Sequence, residues 1–278
     1  MRITIIYFSG TGNTWFVAKS LKESFIDKGI EAQYLSIEDP EIQNPESLKW
    51  IIESSDKVVI GYPIYGSIAP RPMVSFIENL PEMKEKSISV FSTVALASGD
   101  GPVVYRRLLE NKGYRFDTGF EFKLSNNFNV PGFPDVLPVG SSDKIEERNE
   151  KAKRHATKMV DSILSGKGKI QGDHIFGKFL GNIQRKHVDD LIVQFNRSLY
   201  VEHSKCVNCN KCVKICPVNN ITDLSGQIHI NQRCAACMRC YHFCPTQAIN
   251  VTDASLDTNK WPRYRGATKD YSNKLVRE

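Results

Sequence analysis

The cysteines of this chain fall into two runs and nowhere else: Cys206, Cys209, Cys212 and Cys216-Pro217, then Cys234, Cys237, Cys240 and Cys244-Pro245. Each run reads C-x2-C-x2-C-x3-C-P. Thiolate sulfur is a soft ligand, and three closely spaced cysteines on a tight loop supply three ligands of an iron–sulfur cubane. The fourth, followed by proline, turns away and can serve a neighbouring centre. Structural zinc usually pairs C-x2–4-C with a distant second pair and does not need this density. A disulfide framework implies a secreted chain, yet the opening Met1–Phe8 is too short for a signal sequence. The expectation is two [4Fe–4S] clusters, in a cytoplasmic setting that keeps thiols reduced.

A second constellation lies near the start. Ser9-Gly10-Thr11-Gly12-Asn13-Thr14 follows the apolar run Ile3–Phe8 and precedes apolar residues at helical spacing from Trp15 to Ile26. A strand, a loop of small and hydroxyl residues and a helix N-terminus together make an anion site. The loop lacks the lysine of a triphosphate-binding loop, and Trp15 stands where a dinucleotide fingerprint would place glycine. A phosphate monoester fits best. Trp15 itself is expected on the helix surface.

These sites need elements to position them, and the remaining pattern alternates as a doubly wound α/β sheet does. Further strands are predicted at Glu31–Leu35, Lys57–Gly61, Ser87–Val94 and Tyr114–Leu124. A helix is predicted around Leu48–Ile52, another through Leu108 and Leu109, and a charged one over Asp143–Leu164. The stretch Asn126–Pro134 reads as a long irregular loop able to cover a ligand or receive a second domain. Ser165–Lys169 reads as a flexible basic break. Apolar residues from Phe176 to Tyr200 predict one amphipathic helix that docks one domain on the other. Short strands are expected at Val201–His203 and Gln227–Asn231.

On these motifs residues 1–164 resemble a flavodoxin. The resemblance implies an α/β fold with a doubly wound parallel five-stranded sheet in the order 2-1-3-4-5. It also implies FMN, with its phosphate on Ser9, Gly10, Thr11, Gly12, Asn13 and Thr14. The ring would lie between two further loops. One offers Tyr62, Pro63, Tyr65 and Gly66, the other Thr93, Ser98, Gly99, Asp100 and Gly101. A planar ring system favours an aromatic face, which Tyr62 or Tyr65 can supply.

Residues 201–253 resemble the bacterial two-cluster ferredoxins, small α+β domains built from an internal repeat. Carried over residue by residue, that resemblance assigns Cys206, Cys209, Cys212 and Cys244 to one cluster. Cys234, Cys237, Cys240 and Cys216 go to the other. His229 and His242 are expected to be packing or surface residues. The whole chain resembles the flavodoxin–ferredoxin fusion proteins of anaerobic microbes, with residues 165–200 as linker and helix and residues 254–278 as a basic aromatic tail.

The formal net charge is +6. Residues 1–164 carry 20 Lys and Arg against 22 Asp and Glu, so the cationic excess lies beyond them. With no nucleic-acid motif present, this excess is expected to offset cluster charge or steer an acidic redox partner. No apolar run is long enough to span a bilayer. Electron transfer between FMN, the clusters and a redox protein is the expected function. The rival is an FMN oxidoreductase acting on a small substrate, for which Asp100 is the nearest acid. The oligomeric state is not legible.

Overall fold

Ile3, Ile5, Ile6 and Phe8 have no exposed surface. A strand buried on both faces belongs at the centre of a parallel sheet, where helices cover each side. The computed structural model describes residues 1–133, 138–268, 270, 271 and 275. In it β1 (Arg2–Tyr7) lies between β2 (Glu31–Ser36) and β3 (Lys57–Pro63), followed by β4 (Lys86–Val94) and β5 (Tyr114–Lys123). All four pairings are parallel and the order is 2-1-3-4-5, as the sequence leads one to expect. At the edge of the sheet, β5 alternates partly exposed with buried residues, which is the pattern of a strand paired on one side only.

The helices divide between the two faces. On one, α1 (Asn13–Ile26) packs Phe16, Val17, Leu21 and Phe25 into a core shared with Ala156, Met159, Val160 and Ile163. The opposite face carries α2 (Pro40–Gln43), α3 (Pro45–Ser54), α4 (Arg71–Glu78) and α5 (Arg106–Asn111), which contribute Ile42, Ile51, Ile52, Met73, Ile77 and Leu109. The long α6 (Ser142–Ser165) covers α1 and supplies those last four partners of the first core. Burying one such side chain is worth about 1.5–3 kcal/mol.

Beyond α6 the structure corrects two expectations. Gly119 N donates to Lys169 O at 3.0 Å and Gln171 N to Gly119 O at 2.8 Å, so the basic break is tied to the open edge of β5. The single amphipathic helix is two, α7 (Ile175–Arg185) and α8 (Val188–Ser198), separated at Lys186-His187. The docking role falls to α8, whose Val188, Ile192 and Phe195 are buried beside Phe133 and Val130. By contrast α7 turns Gly177 and Gly181 inward and leaves Ile175, Phe176 and Phe179 exposed.

The second unit is small. It comprises β6 (Tyr200–Val201), α9 (Lys211–Lys214), β7 (Ile221–Leu224), β8 (Gln227–Ile230), α10 (Arg239–Phe243) and β9 (Ile249–Asn250). β6 pairs with β9 and β7 with β8, both antiparallel. The predicted strand at Val201–His203 is displaced, since His203 begins a 3-10 turn. A strand–turn–strand repeat around two loops is the ferredoxin-like arrangement.

The tail after Asp253 threads back across both units. Arg263 lies 3.4 Å from the ring centroid of Tyr241 and donates to Tyr241 O and Asn250 Oδ1. The Tyr271 ring packs on Trp15. Trp15 is therefore a core residue and not a surface one. Pro134, the end of the predicted irregular loop, and most of the tail after Thr268 lie outside the described residues. Among the described residues no helix is long and apolar enough to cross a membrane.

Candidate cofactor-binding site

In a doubly wound sheet, ligands bind beyond the carboxyl ends of the strands where the order reverses, here beside β1 and β3. A cleft of about 230 Å³ opens at that point. Its polar end is Ser9, Gly10, Thr11, Asn13 and Thr14, the predicted phosphate loop. Gly12, at φ 104°, caps α1 in a left-handed conformation that favours glycine. The loop is braced from several sides. Gly12 N donates to Ser9 Oγ at 3.1 Å, Asn127 Nδ2 to Thr11 Oγ1 at 2.6 Å, and the Thr14 and Thr93 hydroxyls lie 2.8 Å apart. The first N–H groups of α1 have no partner within the helix, so a phosphate here meets donors held in place.

The rest of the cleft is apolar: Pro63, Ile64, Tyr65, Val94, Ala95, Phe128, Val188, Leu191, Ile192 and Ala236. Gly66 and Thr93 also line it. A polar end with backbone donors and an apolar slot with one tyrosine suit a phosphorylated planar cofactor such as FMN. Sequence reasoning named the loop that carries Asn127 and Phe128 as able to cover a ligand, without singling out either residue, and missed Ala236 as a lining residue. It also missed α8.

Besides Gly12, which caps α1, five predicted contacts do not line the cleft. Tyr62 is fully buried in the core and donates to Gly101 O at 2.9 Å, its ring edge-on to Tyr105. Burial raises its pKa well above the ordinary value. Ser98 N and Oγ donate to Glu121, at 2.9 and 2.5 Å. Gly99 lies against Gly177 and Gly181 of α7, and Gly101 serves as the acceptor for Tyr62. Asp100 accepts from Arg185 Nη1 and Nη2 at 2.6 and 3.0 Å. The second loop beyond Ala95 thus anchors α7, and its acid is held by an arginine.

The cysteines form two neighbourhoods. Burial pushes the Cys212 thiol up to about 12, with Cys244 the largest thiol contribution and Cys209 and Cys206 adding to it. Burial likewise raises Cys234 to about 12, helped by Cys237 and Cys216. Cys240 is raised by burial and then by Cys234, Cys237, Cys216 and Cys212. The fourth thiol of each run therefore acts electrostatically on thiols of the other run. All eight are free. Among the described residues no three His, Cys, Asp or Glu side chains gather as a single metal ion requires. Four-cysteine runs whose thiols act on one another electrostatically suit a larger thiophilic centre that stabilises thiolates, as an iron–sulfur cluster does. Backbone N–H groups already reach the fourth sulfur of each run: Asn220 N to Cys216 Sγ at 3.1 Å and Ala248 N to Cys244 Sγ at 3.2 Å.

The inner run touches the cleft. A Cβ on Gly10 would lie 2.5 Å from the Cys237 carbonyl oxygen, so only glycine admits this approach. Arg239, 2 % exposed, donates to Ser9 O at 2.7 Å, Gly10 O at 3.1 Å and Ile215 O at 3.1 Å. Its other partner is Glu38, at 2.8 and 2.5 Å. His242 is a packing residue at the same junction. Its Nε2 faces Asn127 O at 2.7 Å, and Nδ1 accepts from Tyr264 N at 3.0 Å. Burial lowers its pKa to about 3, with Arg263 and Arg265 adding to the fall and the Asn127 carbonyl opposing it. Tyr264 then donates to Asn13 Oδ1 at 2.5 Å, and Tyr271 to Ser9 O at 2.6 Å.

Two cofactor-binding units joined through one loop define a modular redox-type architecture, and comparison with known proteins specifies both halves. The 4Fe-4S dicluster domain family matches residues 205–249. A flavodoxin from Megasphaera elsdenii is 25% identical over 114 residues, 40% of this chain and 78% of that protein. A putative diflavin flavoprotein from Synechocystis sp. is 27% identical over 123 residues, 44% of this chain but 20% of its own. An uncharacterized polyferredoxin-like protein from Methanocaldococcus jannaschii is 39% identical over 54 residues, 18% of this chain and 32% of that one. The chain thus spans a third or less of these last two relatives. It carries a flavodoxin-like N-terminal domain and a C-terminal 4Fe–4S dicluster domain.

Proposed function

We propose that the chain is an electron-transfer protein in which FMN occupies the cleft and two [4Fe–4S] clusters occupy the thiol neighbourhoods. The outer cluster is held by Cys206, Cys209, Cys212 and Cys244. The inner is held by Cys234, Cys237, Cys240 and Cys216. FMN exchanges one or two electrons whereas each cluster passes one, so joining them splits a two-electron event into single steps. The observation that carries this reading is the contact between Gly10 of the phosphate loop and the Cys237 carbonyl. It puts cleft and inner run in direct packing.

The chain's own residues do three things. Thr11, Thr14 and the α1 N-terminus hold phosphate; Pro63–Tyr65, Phe128 and α8 wall the ring from water; Arg239 fixes the loop against the inner run. Residues 1–164 and 201–253 are the two functional units, joined by residues 165–200. No Asp, Glu or His lines the cleft among its described residues, and the nearest predicted acid, Asp100, is paired with Arg185. This favours a carrier over a substrate-reducing enzyme. The partner is a one-electron redox protein, attracted by the cationic excess beyond residue 164.

Anaerobic analysis should find one FMN and about eight irons with about eight sulfides per chain. Zinc, or about half that iron, would refute the cluster assignment. Replacing Thr11 with a bulky apolar residue should remove FMN and keep iron. Stopped-flow bleaching of the flavin tests the donor. Slow reduction by NADH and NADPH with fast, salt-sensitive reduction by a ferredoxin-like donor is expected, because no G-x-G-x-x-G loop follows a strand among the described residues. Fast saturable reduction by a nicotinamide would favour the enzyme.

A further inference from the structure

One side chain reaches from the cleft toward the inner cysteines. Tyr65 follows β3 in a tight loop, with its N–H donating to Ile68 O at 2.8 Å. Its ring lines the cleft and also packs against the core that contains Cys234, Ala236 and Ile192. The phenol oxygen is buried and has no hydrogen-bond partner among the described residues. It sits over Gly10, 3.1 Å from where a Cβ would lie, at the spot the Cys237 carbonyl also approaches. Cys237 and Cys234 are the thiols that act on this phenol electrostatically. A buried O–H donor is normally satisfied. The nearby Cys237 carbonyl does not accept from it, and the Cys237 and Cys234 sulfurs are the thiol groups close enough to act on it.

We propose that the Tyr65 hydroxyl donates a hydrogen bond to a sulfur of the inner cluster, either the thiolate of Cys237 or Cys234 or an inorganic sulfide. This inference rests on the cluster assignment made above. A reduced cluster carries more negative charge on sulfur than an oxidised one, so the bond is stronger in the reduced state and raises the inner cluster's potential. No chemical bond is made or broken. Tyr65 is a positioning residue on the path between the cleft and the cluster, one face toward each.

The test is Tyr65→Phe in the full chain with its cofactors, because phenylalanine keeps the ring and removes only the donor. EPR-monitored redox titration should show one of the two clusters shifted to more negative potential. At fixed potential its reduced-to-oxidised ratio should fall about tenfold, about 59 mV for a one-electron couple. The other cluster and the FMN content should not change. Pulsed EPR of the wild-type protein in deuterated water should show an exchangeable deuteron coupled to the shifted cluster, lost in the variant. Two unshifted clusters would overturn the proposal. A change confined to flavin content or flavin potential would also overturn it, by giving the hydroxyl to the flavin instead. Iron and sulfide analysis of the wild-type preparation is independent. A deficit there refutes the cluster assignment itself and, with it, the acceptor.

Discussion

The two cysteine runs share a backbone and differ in almost everything that backbone carries. Left-handed residues recur at matching positions: Asn208 and Ala236, Asn210 and Met238, Asn219 and Gln247. Each run contains one short helix, α9 or α10. Yet Val207 is 63% exposed where Ala235 is 2% exposed, and Cys209 is exposed where Cys237 is buried. Lys211, partly exposed, stands where Arg239 makes its buried contacts with Ser9, Gly10, Ile215 and Glu38. Repetition supplies two centres, and divergence gives one to the cleft and the other to solvent. On the proposed function, an external partner would meet the outer run first, with the inner run between it and the cleft.

The largest effect should come from breaking that difference at its most buried point. Arg239→Met would leave three carbonyls and Glu38 without their cation, at a cost of about 3–5 kcal/mol. It should also release FMN, because Arg239 holds Ser9 and Gly10. Lys211→Met should change stability by no more than about 0.5 kcal/mol and keep both cofactors. Denaturant unfolding with flavin analysis of the two variants decides the matter. Equal losses would mean that the runs are energetically equivalent.

Next in size is the exchange of fourth ligands. Cys244→Ala should damage the outer cluster although the residue lies in the inner run, and Cys216→Ala should damage the inner one. The thiol neighbourhoods around Cys212 and Cys240 motivate this crossing. EPR of the reduced variants reads which signal is lost. Loss of the cluster nearest in sequence in either case would refute it.

What the sequence made legible is what has short-range signatures. The cysteine runs, the loop from Ser9 to Thr14 and five apolar strands each announce themselves within about a dozen residues. Tyr62 and Tyr65 show the limit. Both follow Gly61 in one aromatic segment, but β3 is buried on both faces, so alternation cannot say which tyrosine points to the core. Tyr62 does, and Tyr65 reaches the cleft. The role of Ser98–Gly101 was hidden because Asp100 meets Arg185, a partner 85 residues away that no local pattern pairs with it. The tail was illegible for the same reason. Nothing in Arg263 or Tyr264 states that one grips the dicluster domain and the other the phosphate loop.

The smallest expected effect isolates the backbone that the two runs share. A left-handed residue with a Cβ costs about 1–2 kcal/mol, and asparagine tolerates it better than other residues. The outer run takes asparagine at 208, where the side chain is exposed and its Oδ1 lies 3.4 Å from Cys206 Sγ. The inner run has Ala236 at φ 51°, because that position lines the cleft and an amide there would be buried against apolar walls. Asn208→Ala should therefore cost about 1 kcal/mol with both cofactors retained. Ala236→Gly should be nearly neutral, since relief of the left-handed strain is offset by glycine's greater freedom when unfolded, about 0.5–1 kcal/mol. Ala236→Asn should relieve the backbone equally and yet weaken FMN binding. Chemical denaturation gives the first two values and flavin titration the third. If Ala236→Asn bound FMN as well as the wild-type protein, alanine at 236 would not be there for the cleft, and the backbone alone would have to explain why the runs diverge.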